Sequence, residues 1–482
     1  MAVIVVTHVS VITVVVTVVV PASQGVRAMA TINVPAGLRR ITQIVAGVDD
    51  VAYLLNPDGS AFKCPTGGNF NGSTLDVACA RGHAYFVDGT PTIYYVDVLG
   101  GSFADVHVFS AGEGSLPQNG QYGPSIIAFY RDRMVLAGVG KDEQTFFMSR
   151  SGVHDDFDYG QRDEAAAVAG NVSLGANVGS PIRALIPWRD DILIFGCDRS
   201  IWRMVGDIAA GGSIQLVTDA VGVFGPHSWT TDPAGMLYFM GETDFYRMDP
   251  GGGLKNLSGL RFHQFFADLD RANDTVTVLW DTTRQGCHIF ITKPAPDPGE
   301  SEPVSTHVWW DARTDSFWKV QIPKVYDPTC AVDFSGDTDD VRAAMLGNRA
   351  GYVQKFDDLM LTDEGTVIVS HVYFGPLLPS GDIRQAKCNG INAKMGDLPA
   401  VLADTDSFHV DWTLQAGTDP KAALVAPTET RTGSFDTDGF QKPFGLRASG
   451  SAFFLKLSND EPGKTFAIDH ISGRFLPAGR QR

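Results

Sequence analysis

Apolar and polar positions repeat along most of the chain in a pattern typical of β-hairpins. Each unit has about five apolar residues, a turn that contains Gly or Asp, and a second strand that carries aromatic residues. The units are VAYLLNPDGSAFKC (51–64), HAYFVDGTPTIYYVDV (83–98), DRMVLAGVGKDEQTFFMSR (132–150), DDILIFGCDRSIWRMVG (190–206), GMLYFMGETDFYRMDP (235–250), CHIFITK through VSTHVWWDARTDSFWKV (287–320) and AAMLGNRAGYVQKFDD (343–358). They begin about 30 to 60 residues apart, with turns such as Asp58-Gly59 and Asp88-Gly89. Divergent hairpins at this spacing predict an all-β chain whose main part is a six- or seven-bladed β-propeller.

The pattern changes between about 361 and 368. The later segments alternate like strands but lack the layout of a blade: VIVSHVYFGPLL (367–378), HVDWTLQAG (409–417), PFGLRASGSAFFLKLSND (443–460) and KTFAIDHISGRFLPAG (464–479). They predict a separate antiparallel β-sandwich of about 115 residues. The expected domains are therefore an N-terminal arm (1–36), a propeller (37–360) and a C-terminal sandwich (361–482).

The first twenty residues, MAVIVVTHVSVITVVVTVVV, are almost entirely apolar. No Lys or Arg precedes the run, unlike a signal peptide, and Val, Ile and Thr favour strands over helices. An extended arm that pairs with a neighbouring strand is therefore favoured over a membrane segment or a helix buried in an assembly. An exposed arm of this kind aggregates unless a partner covers it, which points to oligomerisation. Deleting residues 2–29 is expected to release the chain from its assembly and to leave residues 40–482 folded.

Composition narrows the function classes. The chain has 482 residues, of which 44% are hydrophobic and 19% charged, with 52 Gly and 26 Pro; this balance suits many short strands joined by turns. The formal net charge of −17 argues against a surface that grips nucleic acid, although DNA can still pass beside an acidic wall. The cysteines form no C-x-x-C pair, which favours buried free thiols over a Cys64–Cys79 disulfide: Cys64, Cys79, Cys197, Cys287, Cys330 and Cys388.

Known catalytic and metal-binding patterns are missing from the sequence. The acidic stretches HDDFDYG (154–160), DFSGDTDD (333–340) and DTDGF (436–440) do not match a calcium loop, and solvated turns explain them better. No H-E-x-x-H, G-x-S-x-G or phosphate-binding loop is present, and GGGLKNLSG (251–259) lacks the required glycine spacing. The Trp309-Trp310-Asp311 segment is interpreted as an aromatic cross-strand pair within one blade. We therefore expect no enzyme and no catalytic, cofactor or metal residues, although one sequence does not show whether carboxylates converge at a propeller mouth.

Two segments resemble tail proteins of short-tailed bacteriophages. In YGPSIIAFYRDRMVLAGVGKDEQTFFMSRSGVHDDFDYG (122–160), an aromatic-rich strand and an Arg-containing turn lead to a strand that ends in Ser-Arg, and then to an Asp-Phe pair. SPIRALIPWRDDILIFGCDRSIWRMVGD (180–207) is similar to the next blade, and GRFLPAGRQR (473–482) to the common C-terminus. The family is the β-propeller hub, nozzle or stabilisation proteins that close the portal channel, and the resemblance covers about residues 120–480.

The resemblance implies a structural protein of the virion tail, assembled in the host cytoplasm. Such a chain forms a homo-oligomeric ring, a hexamer, below the portal and adaptor ring, and contacts tail fibres or spikes. Its lumen retains packaged DNA and conducts it at ejection without sequence-specific binding, and no cofactor is implied. The alternative is a secreted or membrane-anchored β-propeller enzyme or binding module.

Overall fold

The computed structural model describes most of the chain and divides it into two compact units. The described residues are 4–7, 12–16, 25–36, 39–55, 61–63, 70–72, 74–97, 106–172, 180–259, 262, 266, 268–294, 305–320, 322, 327–335, 342–356, 362–363, 366–367, 369–379, 384–396, 408–437, 439–441 and 447–480. The propeller unit comprises residues 14–317 and 323–356. The C-terminal unit comprises residues 1–13, 318–322 and 357–482.

The strands up to residue 356 are short and are listed here in chain order. The first are β1 (Ile4–Thr7), β2 (Ile12–Val16), β3 (Val26–Ala36), β4 (Arg39–Val48), β5 (Val51–Leu55), β6 (Ala61–Lys63), β7 (Asp76–Ala80), β8 (His83–Val87), β9 (Ile93–Asp97) and β10 (Val106–Phe109). Next come β11 (Glu113–Gly114), β12 (Ile126–Tyr130), β13 (Arg133–Ala137), β14 (Thr145–Met148), β15 (Asp156–Phe157), β16 (Val168–Asn171), β17 (Ile182–Arg189), β18 (Ile192–Cys197), β19 (Ile201–Val205) and β20 (Ser213–Thr218). The last are β21 (Trp229–Thr231), β22 (Leu237–Met240), β23 (Phe245–Met248), β24 (Leu254–Asn256), β25 (Thr275–Asp281), β26 (Gly286–Thr292), β27 (Thr306–Asp311), β28 (Ser316–Val320), β29 (Pro328–Ser335), β30 (Arg342–Asn348) and β31 (Val353–Phe356).

These strands form seven blades within the described residues. The blades are, in order, β3–β6, β7–β10, β12-β13-β14-β16, β17–β20, β21–β24, β25–β28, and β29–β31 with β2 at its outer edge. The inner strand of blade 1, β3, lies beside β7 of blade 2 and also beside β29 of blade 7, so the blades close into a ring. The predicted all-β fold and its β-propeller are thus confirmed, with seven blades.

Apolar side chains between neighbouring blades form the core of the ring. Blades 3 and 4, for example, share a buried cluster that includes Phe146 and Phe195, whose ring centroids are 4.9 Å apart. The predicted turn at Asp88-Gly89 follows β8: Gly89 has a φ of +84°, a left-handed value that glycine adopts without strain. The Asp88 carboxylate accepts hydrogen bonds from the backbone N–H groups of Gly72 and Thr90. The Asp58-Gly59 turn lies outside the described residues.

The C-terminal unit contains two antiparallel sheets around one apolar core. Its remaining elements are β32 (Thr362–Asp363), β33 (Thr366–Val367), β34 (Ser370–Leu377), β35 (Arg384–Met395), β36 (Val410–Gly417), α1 (Pro420–Val425), β37 (Glu429–Phe435), β38 (Gly439–Gln441), β39 (Ala448–Gly450), β40 (Ala452–Asn459) and β41 (Ile468–Arg480). One sheet has the order β1-β34-β40-β36-β37, and the other is built around β35, which pairs with β38, β39 and β41. Leu414 and Leu455 of the first sheet share a core with Cys388 of the second. Asp419 caps α1, accepting a hydrogen bond from the Ala422 N–H at 2.8 Å.

The structure differs from the predicted N-terminal arm of residues 1–36. Residues 26–36 form β3, the innermost strand of blade 1, because Val26, Ala28 and Ile32 pack into the cores beside neighbouring blades. The described parts of the first twenty residues, β1 and β2, are strands paired within the chain. No helix among the described residues is long and apolar enough to cross a membrane. The C-terminal unit resumes at residue 357, four positions before the predicted boundary at 361.

The described cysteines are free thiols. Cys197, Cys287, Cys330 and Cys388 are buried and Cys79 is half-buried. Burial raises the pKa of the Cys79 and Cys330 thiols to about 12. Cys64, the other half of the alternative disulfide, lies outside the described residues, and Cys79 carries a free thiol.

Candidate functional site

The propeller unit contains a cavity of about 720 Å³ near the start of the inner strands. The strands themselves are apolar, but most blades place a polar residue at or next to the start of the inner strand. Those that line the cavity are Arg27, Ser125, Arg183, His227, Asp274 and Thr329. Ring closure brings them together around one space, which makes this cavity the candidate site.

His227 of blade 5 lies next to Asp76 of blade 2. The His227 Nε2 atom is 3.8 Å from the Asp76 Oδ1 atom, and the Asp76 side chain is 9% exposed. Asp76 accepts hydrogen bonds from the backbone N–H groups of Val77 (2.9 Å) and Ile127 (3.0 Å). Desolvation by burial raises the pKa of Asp76, although the His227 charge and these two hydrogen bonds oppose the shift. A carboxylate thus faces an imidazole from blades that are not neighbours in the ring.

A second group of charges at the cavity is built on Asp198, in the turn between β18 and β19. Its Oδ1 atom accepts hydrogen bonds from Arg183 Nε at 2.6 Å and from Arg271 Nη1 at 2.7 Å. Glu143 Oε2 lies 3.1 Å from Arg183 Nη1. Burial disfavours the charge on Arg183, but the hydrogen bond and charge of Asp198 outweigh it and raise the Arg183 pKa. Two arginines and two carboxylates therefore balance each other in this wall.

Two further cations near the cavity are occupied by structural contacts. Arg27 donates hydrogen bonds to the backbone carbonyls of Asp49, Phe70, Gly72 and Thr74, which ties blade 1 to the segment that leads into blade 2. Desolvation by burial lowers the Arg27 pKa, against the charges of Asp88 and Asp49. Lys293 Nζ pairs with the buried Asp274 carboxylate at 2.6 Å.

Comparisons with known proteins bear on the fold. No protein-family model matches the chain. No curated protein sequence matches it either. Among solved structures, the chain is similar to virginiamycin B lyase from Staphylococcus aureus, with 12% identity, a TM-score of 0.43, and coverage of 69% of this chain and 94% of the lyase. A streptogramin B lyase is similar at 11% identity and a TM-score of 0.44, covering 72% of this chain and 97% of the lyase. The extracellular domain of a one component system from B. thetaiotaomicron is similar at 10% identity and a TM-score of 0.45, covering 76% of this chain and 45% of that chain.

The prediction that the chain is not an enzyme is wrong, because the sequence does not exclude an enzyme. It depended on missing linear motifs, whereas the similar structures include virginiamycin B lyase, which is an enzyme. A propeller assembles its cavity from residues far apart in the sequence, so an active site there leaves no short motif to find.

The acidic stretches of the sequence form turn and cap contacts where the structure describes them. In 154–160, Asp156 Oδ1 accepts from the Asp158 N–H and Asp158 Oδ1 from the Gly160 N–H, both at 2.9 Å. Asp436 pairs with His409 at 2.6 Å in the C-terminal unit. Residues 336–340 and 438 lie outside the described residues. No group of three or more metal-ligating side chains occurs within the described part of the chain.

The other predicted features of the blades are also structural contacts. Trp309 lies opposite His288 on β26, with ring centroids 4.5 Å apart, which confirms an aromatic cross-strand pair. Trp310 Nε1 donates to Asp315 Oδ1 at 3.2 Å. In the glycine-rich stretch 251–259, the Asp249 carboxylate accepts from the N–H groups of Gly251 and Gly253 and closes a turn.

The residues at and beside the cavity were missed by motif searches. Asp76 and His227 belong to no known pattern, and each is one polar residue beside a hydrophobic strand. One signal was available: when the repeats are aligned by their inner strands, a polar residue recurs at or beside the strand start, as at Asp76, Ser125, Arg183 and Thr329. A polar position that recurs in an otherwise apolar strand indicates a shared channel.

Acidification is expected to destabilise the propeller unit through His154. Desolvation by burial, helped by the Arg81 charge, lowers the His154 pKa below its usual 6.5, while Asp132, 3.4 Å away, opposes the shift. The unfolded chain therefore binds the proton at a higher pH than the folded chain. The unfolding free energy contributed by this group is complete above about pH 6.5 and falls as the pH drops below it.

The measurement is a series of melting curves between about pH 7.5 and pH 5. The melting temperature of H154F should fall less on acidification than that of the wild-type protein. H107F, at an exposed histidine, is the control and should follow the wild type. Equal falls for H154F and the wild type would show that His154 does not carry the effect.

Proposed function

We propose that this chain is a structural subunit of a short bacteriophage tail, which forms a hexameric ring at the portal-closing position. The observation that carries the proposal is that the residues of the two phage-like segments converge on one side chain, Arg133. Arg133 is fully buried and is the largest such side chain among the described residues. Its contacts join the features that define the resemblance.

Arg133 follows the Arg-containing turn of segment 122–160. Its Nη1 atom donates to the carbonyl oxygens of Ser149, in the Ser-Arg pair, and of Ala166, at 2.8 and 2.6 Å. Its Nε atom donates to Asp207 Oδ2 at 2.8 Å, and Asp207 is the last residue of segment 180–207. The two segments therefore resemble the phage proteins in residues that depend on each other in the fold, which supports a shared fold unit over a chance similarity.

The Arg-containing turn and the Asp-Phe pair belong to the same unit. Arg131 and Asp132 have φ values of +49° and +59°, which cost free energy for residues other than glycine. An ion pair between Arg81 and Asp132 and a hydrogen bond from the Gly152 N–H to the Asp132 carbonyl (2.9 Å) offset this cost. The Arg150 N–H donates to the Asp156 carbonyl at 2.8 Å.

In the proposed ring, DNA passes through the lumen between subunits. The cavity within one propeller has a volume of about 720 Å³, which is the size of a small-ligand site. Duplex DNA is too wide for it, because the major groove alone is about 12 Å wide. A net charge of −17 supports passage without phosphate-binding traps, because tight binding to DNA depends on Lys and Arg contacts to phosphates. The adaptor and portal ring on one side, and tail fibres or spikes, are the proposed neighbours in the virion.

Counting copies in purified virions tests the ring proposal. Mass spectrometry with isotope-labelled reference peptides measures the amount of this chain relative to the portal protein. We expect several copies per particle in a fixed ratio, as a hexamer requires, and a ring in negative-stain images of tails. Absence of the chain from virions, or a single copy per particle, would overturn the proposal.

A second candidate function is a β-propeller enzyme or binding module that acts on a small molecule. The specific observation in its favour is the cavity, which is lined by one histidine and two arginines, with the Asp76 carboxylate close to the histidine. Under this alternative the purified chain binds a small ligand and is absent from virions, so the copy-number measurement separates the two candidates.

A further inference from the structure

The cavity of the propeller unit has a wall rich in basic side chains. Arg183, Arg271 and His227 all line its volume of about 720 Å³, which lies in the range of about 300–1,000 Å³ typical of small-molecule sites. The side chains of Arg183, Arg271 and His227 are 34%, 25% and 26% exposed. Each of these side chains is therefore partly accessible from the cavity and partly enclosed by the protein.

Arg271 has an unused pair of hydrogen-bond donors. Its Nη1 atom donates to Asp198, but its Nε and Nη2 atoms are buried and have no hydrogen-bond partner among the described residues. The N–H groups of Nε and Nη2 lie side by side on a guanidinium and point in parallel, which is the geometry that binds both oxygens of a carboxylate or phosphate. The Phe224 ring lies 5.5 Å from the guanidinium carbon and supports its orientation.

His227 provides another unused polar atom in the same wall. Its backbone carbonyl accepts a hydrogen bond from the Val278 N–H at 2.9 Å, which fixes the segment. Its Nε2 atom is buried and has no hydrogen-bond partner among the described residues, and it lies 3.8 Å from Asp76, beyond hydrogen-bonding distance. Buried polar groups normally have partners, so three such atoms around one cavity indicate that a ligand supplies them.

We propose that the propeller cavity binds a small carboxylate or phosphate through the Nε and Nη2 atoms of Arg271, with His227 as a second contact. Both Arg271 atoms are shielded from solvent in the unliganded chain, so binding requires the side chain to rotate about its Asp198 contact and turn them toward the ligand. The charges of Arg183 and Arg271 are already balanced by Glu143 and Asp198, so recognition depends on paired hydrogen bonds more than on net charge. The site is independent of the ring proposal and names the ligand class for the second candidate function.

Titration calorimetry on the full-length chain tests the site. Sodium phosphate and sodium citrate are titrated separately at constant ionic strength and neutral pH. We expect one equivalent of at least one anion to bind, and R271M to raise its Kd at least tenfold. R271K keeps the charge beside Asp198 but lacks the parallel pair of donors, so we expect its affinity to lie between those of R271M and the wild type. R313M, at an arginine that is 61% exposed, should bind like the wild type.

The outcomes decide the proposal without reference to virions. Failure of both anions to bind a wild-type chain with a cooperative melting curve overturns it, as does equal affinity in the wild type and R271M. If R271M does not fold, R271K decides: an unchanged Kd in a folded R271K chain also overturns the proposal. Absence of the chain from virions, by contrast, removes the ring proposal and leaves this site untouched.

Discussion

Replacing Arg133 by Met is expected to cause the largest loss of stability of any single substitution described here. The methionine fills part of the volume but leaves the Asp207 carboxylate, which is 11% exposed, without its cationic partner. It also removes the donors to the carbonyls of Ser149, Ala166 and Glu164. Breaking one side of a buried ion pair costs about 3–5 kcal/mol. We expect the melting temperature of the propeller unit to fall by roughly 5–15 °C, measured by differential scanning calorimetry.

A double-mutant cycle separates the ion pair from the packing. D207N alone should also destabilise, because it leaves the fully buried Arg133 charge without its carboxylate. R133M/D207N should be more stable than the sum of the two single losses predicts, because neither partner then stays charged and unpaired. K255M is the matched control: Lys255 also pairs with an aspartate, Asp315, but both side chains are more than half exposed, so its loss should leave the melting temperature nearly unchanged. If R133M and K255M melt alike, the buried contacts of Arg133 do not hold blades 3 and 4 together.

Local features of the fold could be predicted from the sequence because they depend on neighbouring residues. The Asp88-Gly89 turn needs one residue with positive φ and one carboxylate that caps the turn, and both are adjacent in the chain. Strands such as β12 and β18 are short, continuous apolar runs, which is the pattern of strands buried on both faces. Blade number follows from counting such hairpins, which is why six or seven blades could be expected.

The inner strand of blade 1, β3, was predicted to be part of an arm because its sequence mixes apolar residues with residues that are unusual inside a strand. Residues 26–36 read VRAMATINVPA, with Arg27 and Pro35 inside the strand, and they follow a strongly apolar stretch. The fold accommodates Arg27 because the carbonyls of Asp49, Phe70, Gly72 and Thr74 accept its hydrogen bonds. Those acceptors come from turns of the folded blades and are invisible in the sequence around Arg27.

The candidate site could not be predicted because ring closure assembles it. Arg271 meets Asp198 across 73 positions of the chain, and the Asp76 carboxylate meets His227 from a blade that is not its neighbour. No spacing rule connects residues whose distance depends on how many blades separate them. The same reasoning explains why Arg133 and Asp207, 74 positions apart, gave no signal as a pair although each lies in a segment that resembles the phage proteins.

Deleting residues 2–29 is expected to prevent stable folding of the propeller, contrary to the expectation from the sequence that residues 40–482 would stay folded, because residues 26–29 belong to β3. The deletion removes the start of β3, including Val26 and Ala28, which are fully buried, and Met29, which is 7% exposed. Burial of a large apolar side chain contributes about 1.5–3 kcal/mol, and the deletion also removes Arg27 with its hydrogen bonds to four carbonyls. The combined loss is comparable with the whole stability of a typical domain, about 5–15 kcal/mol.

Deletion of residues 2–24 is the matched comparison, because it ends just before Gly25. Gly25 begins the contact between blades 1 and 7: its φ is +76°, its N–H donates to Asp49, and a Cβ placed there would lie 2.4 Å from the Arg349 backbone. The shorter deletion keeps this contact and all of β3, so we expect a cooperative melting transition of the propeller to remain, whereas the longer deletion should abolish it. Circular dichroism and calorimetry on both chains measure this. If the chain lacking residues 2–29 melts like the chain lacking residues 2–24, then β3 does not close the ring, and residues 26–29 act as an arm after all.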